Sequence, residues 1–192
     1  MAVDTKNGLN PSGSVSGIIT NNDIIDSILN SYKYALKNNL EAYQNHVYRV
    51  FNLALPYVKP GKDHETLSIA AAFHDLGIWT HNTFDYLGPS VELATQYSLA
   101  RNLDAATESD ITSIIKEHHK LTKTKTSRLA EIFRQADLAD LSLGLIRHGM
   151  DKRQLQLIRR TFPNKGFYYH LLKLFIKNLF KNPLKPLPMY KW

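Results

Sequence analysis

The chain contains no cysteine. That removes disulfides, zinc–thiolate sites, iron–sulfur clusters and thiol nucleophiles together. It fits a reducing compartment, so a cytoplasmic location is expected. No run reaches the roughly 18 apolar residues of a membrane span. Residues 1–20 lack the basic-then-apolar pattern of a signal peptide. No stretch alternates apolar and polar residues for long enough to argue a strand, and neither an internal repeat nor a coiled-coil heptad is visible. What is there is a chain of 192 residues, 43% hydrophobic and 21% charged, the balance of a soluble domain with its own core. Twenty-four basic against 17 acidic residues give a net charge of +7. Such a balance favours phosphate-bearing partners, whether nucleotide, nucleic acid or anionic lipid, or serves solubility alone.

Read in order, the chain is expected to be all-α. Residues 1–20, rich in Gly, Ser, Asn and Thr, read as a flexible lead-in. Asn21 or Asn22 can cap a helix that begins at Asp23, and a second runs from about Leu40 to Val58, with His46 on or beside its apolar face. Asp63 suits the N-cap of a third, which carries Ala70-Ala71-Ala72-Phe73-His74-Asp75-Leu76 inward and can end at Gly77. The loop from Trp79 to Gly88 mixes aromatic and polar residues in the manner of a pocket rim. Further helices are expected from caps at Ser90, Thr107 and Ser127, and another over residues 143–160. A last one spans Tyr168 to Lys181, with Lys173, Lys177 and Lys181 on one stripe. The helical domain is thus bounded at 21–182, and a Pro-rich tail occupies 183–192.

Chemistry concentrates in four residues. His46 lies mid-helix, His74 and Asp75 end the next helix, and Asp137 sits in Gln135-Ala136-Asp137-Leu138-Ala139-Asp140. A carboxylate in such apolar company is costly unless something compensates its charge. A cation held jointly with His46 and His74 would do so, with Asp140 the alternative to Asp137 one turn on. Mixed imidazole and carboxylate donors suit iron, manganese, zinc, cobalt or nickel rather than calcium.

The order His, His-Asp, Asp resembles the HD-domain superfamily of metal-dependent phosphohydrolases over roughly residues 40–145. The resemblance implies an all-helical, single-domain bundle and a divalent metal held by His46, His74, Asp75 and Asp137. It implies a phosphorylated small molecule as substrate, a phosphomonoester, nucleotide or phosphoanhydride. A divalent ion lowers the pKa of bound water from 15.7 toward ~7. Asp75 is then expected to hold the ion with one oxygen and the nucleophilic water with the other. His118 and His119 match a histidine pair that many members carry, and are candidates for phosphate contact, leaving-group protonation or a second metal. Arg49, Lys116 and Lys120 are candidate phosphate contacts.

Two departures from the family pattern narrow this. No histidine lies between Gly88 and Arg101, where two-metal members usually have one, so a single metal is expected. Ile78 stands where the cyclic-dinucleotide branch has lysine and where the one-metal nucleotidase branch has glutamate. The rival reading is a carbon–nitrogen hydratase or lyase resembling cyanamide hydratase, built on the same core. The amphipathic last helix is expected to cap the bundle in preference to touching nucleic acid or an anionic membrane.

Overall fold

Helix α1 (Asp23–Ser31) starts on Asn22, whose side-chain oxygen accepts from the amides of Ile24 and Ile25. The computed structural model describes residues 14–15 and 17–190. Ahead of α1, Ser14–Val15 pairs antiparallel with Ile18–Ile19. This hairpin of two-residue strands falls within the expected lead-in, of which residues 1–13 and 16 lie outside the described residues. Asn52 pins the hairpin by accepting from the Ile19 amide and donating to its carbonyl.

The other helices are α2 (Lys33–Leu36), α3 (Leu40–Ala54), α4 (Lys62–Phe73), α5 (Gly77–Thr80), α6 (Leu87–Ala100) and α7 (Ala105–Glu117). They continue with α8 (Arg128–Leu141), α9 (Lys152–Thr161) and α10 (Phe167–Lys181). The all-α expectation holds; among the described residues the hairpin is the one strand pair.

Helix α4 is the centre. Every residue from Thr66 to Phe73 is buried, and a helix without a polar face belongs inside. Its alanines let α3 and α7 pack close, and α8 closes the ring by packing on α3 and α7. Helix α6 covers α7, and α9 and α10 lie against α3.

Several expected boundaries move. Gly61 occupies the N-cap of α4, and Asp63 lies inside the first turn. Helix α6 begins at Leu87, and Ser90 is buried, its Oγ accepting from the Gly77 amide at 2.9 Å. Asp104 caps α7, and Thr107 donates its hydroxyl back to it at 2.8 Å. Ser127 sits at the N-cap of α8 but gives its hydroxyl to Asp110. Residues 142–151 form turns, with Leu143, Gly144, His148 and Gly149 all at positive φ, so the helix expected over 143–160 shortens to α9. Gly77 opens α5 instead of stopping α4. A Cβ there would lie 2.6 Å from the Tyr86 carbonyl oxygen, so the corner requires glycine for close approach.

Candidate metal centre

Three imidazoles point inward with their tautomers fixed from behind. His74 follows the last residue of α4 and donates Nδ1–H to the Ala71 carbonyl at 2.7 Å. His118 follows α7 in the same way and donates to the Ile115 carbonyl at 2.8 Å. His46, on α3, donates Nδ1–H to Asp140 Oδ2 at 2.8 Å. A carbonyl or carboxylate can only accept, so each neutral ring keeps a bare Nε2 lone pair facing the interior.

Those lone pairs converge. His46 Nε2 and His74 Nε2 are 3.0 Å apart, and in these tautomers each presents a lone pair to the other. Asp75 Oδ2 stands 3.5 Å from His74 Nε2 and 3.7 Å from His46 Nε2. Asp137 Oδ1 is 3.5 Å from His46 Nε2. The other oxygens serve a second edge: Asp75 Oδ1 is 3.3 Å from His118 Nε2, and Asp137 Oδ2 is 3.7 Å from His119 Nδ1. The structure thus brings His46, His74, Asp75, His118, His119 and Asp137 together, all of them buried.

The cluster is not satisfied by protein alone. Asp75 Oδ1, His118 Nε2 and both carboxylate oxygens of Asp137 are buried without a hydrogen-bond partner. Burial, with Asp75 and Asp140 nearby, pushes the Asp137 carboxyl well above the usual carboxylate range. Burial, chiefly, holds His74 down to about 3, so it is unprotonated at neutral pH and free to ligate. Two acceptors in contact and an uncompensated buried carboxylate are both relieved by a divalent cation. The donor set fits a transition metal held by His46, His74, Asp75 and Asp137.

Asp140 belongs to the layer behind. Arg49 Nε donates to its Oδ1 at 2.7 Å and Arg49 Nη2 to its Oδ2 at 2.9 Å, while Oδ2 also takes the His46 proton. The carboxylate is therefore fully used and orients His46 instead of replacing Asp137. Burial opposes its charge, but His46 and Arg49 outweigh that and hold it well below the usual range.

This geometry corrects the expectation for Arg49. Its fork is spent on Asp140, and its Nη1 donates to the Phe162 carbonyl at 3.1 Å, so it cannot meet a phosphate in the cavity. Lys116 is exposed and lines a surface groove with Glu108 and Thr126, apart from the cluster. Lys120 is half-buried on α7's trailing turn, where its carbonyl accepts from Arg134.

A cavity of about 260 Å³ opens on Asp75 and His119. Its walls include Phe84, Tyr86, Tyr168, Leu171, Phe175 and Tyr190, and no Lys or Arg lines it among the described residues. The expected aromatic rim is there in Phe84 and Tyr86. The Tyr86 hydroxyl and His119 Nε2 share a hydrogen bond of 2.5 Å, and burial keeps the phenol protonated. Tyr190 stacks on His119 with ring centroids 5.2 Å apart, and Phe167 stacks on His46 at 4.2 Å. These contacts were not readable from the chain.

A family model described as HD domain matches residues 43–142, a span that holds all six clustered side chains. No curated protein and no solved structure matches the chain.

Proposed function

The chain belongs to the HD-domain family, and on that premise we propose that it is a metal-dependent hydrolase of a phosphorylated small molecule whose organic part is apolar. The observation that carries this is a point of converging, unpartnered His and Asp atoms at the base of an aromatic-walled cavity. When bound there, a divalent ion supplies Lewis acidity and an acidified water.

The chain's own residues divide the remaining tasks. His46, His74 and Asp137 hold the ion, with Asp140 and Arg49 fixing the ring of His46 from behind. Asp75 faces both ways: Oδ2 lies on the His46/His74 side, and Oδ1 lies toward His118. It can thus ligate with one oxygen and take the proton of the attacking water with the other. His119 and Tyr86 form the polar edge of the cavity, and when His119 Nε2 donates to the Tyr86 oxygen, the Tyr86 hydroxyl proton is free for a phosphoryl oxygen. The apolar wall receives the alcohol or phenol portion and keeps bulk water out.

A second reading has its own observation. With no Lys or Arg on the cavity wall among the described residues, the metal alone would neutralise a phosphate, which also suits a small uncharged substrate of a carbon–nitrogen hydratase. One experiment separates the two. After elemental analysis identifies the metal, the loaded enzyme is assayed on aryl and alkyl phosphomonoesters for phosphate release, and on cyanamide for urea. Phosphate release supports the proposal; urea alone transfers the assignment to the hydratase. Asp75→Asn is expected to abolish turnover of whichever substrate is active while leaving the helical circular-dichroism signal in place.

A further inference from the structure

Helix α10 buries Phe167 fully and no other residue. Capping the bundle therefore accounts for one side of it only. At 3.6 residues per turn, Tyr169, Leu172, Ile176, Leu179 and Phe180 share one arc of roughly 100° on the outward side. All five are exposed, Leu172 at 52% and Phe180 at 84%. Leu184, just past the helix, is 100% exposed. A contiguous apolar stripe of this kind facing solvent marks a surface built for contact.

Its neighbours identify the contact. Lys173, Lys177 and Lys181 run along the adjoining arc, all exposed, and Lys173 lies over the Tyr169 ring at 4.4 Å. From Lys152 to Trp192 the sequence has ten basic residues and no acidic one; the rest of the chain has 14 basic against 17 acidic. The positive charge is thus gathered on the segment that carries the stripe. Two copies meeting through this face would oppose lysine to lysine. A nucleic acid would answer the lysines but leave the apolar arc in water. Anionic lipid headgroups answer the lysines while the acyl boundary takes up the apolar side chains.

We propose that the outer face of α10 docks on the surface of an anionic membrane. It lies on the surface and does not cross: among the described residues no helix is long and apolar enough to span a bilayer. Leu172 belongs both to the stripe and to the wall of the metal-site cavity, so docking sets the cavity beside the lipid–water boundary. This holds whether or not the substrate assignment above holds.

The test is sedimentation of the full chain with vesicles of phosphatidylcholine and phosphatidylglycerol in equal parts, against pure phosphatidylcholine, at low and high salt. Binding is expected to the anionic vesicles alone and to weaken with salt. Replacing Lys173, Lys177 and Lys181 together by Gln is expected to weaken partition by about 100-fold. Ile176→Glu with Phe180→Glu is expected to abolish it. All five positions are exposed, so Tm and the helical signal should match the parent. Light scattering of the unbound protein serves as the control for self-association. No binding to either vesicle, equal binding to both, a dimer dispersed by the Glu pair, or tighter binding to duplex DNA than to anionic vesicles would each overturn the proposal.

Discussion

Asp140 never touches the cavity, yet the cluster depends on it. One carboxylate holds the guanidinium of Arg49 through two hydrogen bonds and the imidazole of His46 through a third. Asp140→Ala would leave a buried arginine uncompensated, a change expected to cost about 3–5 kcal/mol. It would also free the His46 ring to turn, lowering metal affinity roughly 10–100-fold. Urea denaturation and a metal titration by calorimetry check the two effects separately, and Asp140→Asn, which keeps an acceptor, should lose less on both. At this scale the clustered histidines and aspartates were readable, because a histidine on an apolar face and an aspartate among alanines are anomalies along the chain. The roles of Arg49, Lys116 and Lys120 were not. A positive charge announces itself equally whether it meets a substrate, water or a carboxylate 91 residues away, and Arg49 meets the last of these.

Among the elements, the corner between α4 and α5 governs how the cavity wall is set. Gly77 lies so close to the start of α6 that an added methyl would meet the Tyr86 carbonyl at 2.6 Å and the Ser90 amide nitrogen at 3.0 Å. Both contacts are backbone and cannot swing aside. Gly77→Ala should therefore push α6 outward at a cost of about 1–3 kcal/mol. Since Tyr86 also bonds His119, the same variant should loosen the polar edge of the cavity. Thermal unfolding reads the first effect, and the side-chain NMR signals of His119 read the second. Helix existence was legible from the spacing of apolar residues, helix ends much less so. Asp104 outcompetes Thr107 as a cap because its carboxylate takes two amides and a hydroxyl. The turns at 142–151 interrupt an otherwise helical pattern because four of their residues adopt positive φ, which no periodicity reveals. The stripe on α10 looked like ordinary packing for the same reason: a one-dimensional pattern shows that a face is apolar, not whether anything covers it.

For the molecule as a whole, a metal held by the cluster would be coupled to stability. Any ion that binds only the folded chain stabilises it by about 2.7 kcal/mol at a hundredfold excess over Kd. Addition of manganese, iron or zinc should raise Tm, and a chelator should lower it again. Asp137→Asn should reverse the sign of the comparison. Without metal it removes a buried carboxylate that has no partner, so the metal-free variant should melt above the metal-free parent. With metal it should show little further rise. Differential scanning calorimetry of both proteins, stripped and loaded, measures all four states.

The donors to that cluster come from four helices, and the first and last ligands, His46 and Asp137, are separated by most of the domain. No single helix brings more than two of them. An ion held by His46, His74, Asp75 and Asp137 would therefore have nowhere to reside until α3, α4 and α8 have docked, and nowhere to stay once any of them departs. Metal release during unfolding would then be a clock for the loss of global order, and during synthesis the ion would arrive last.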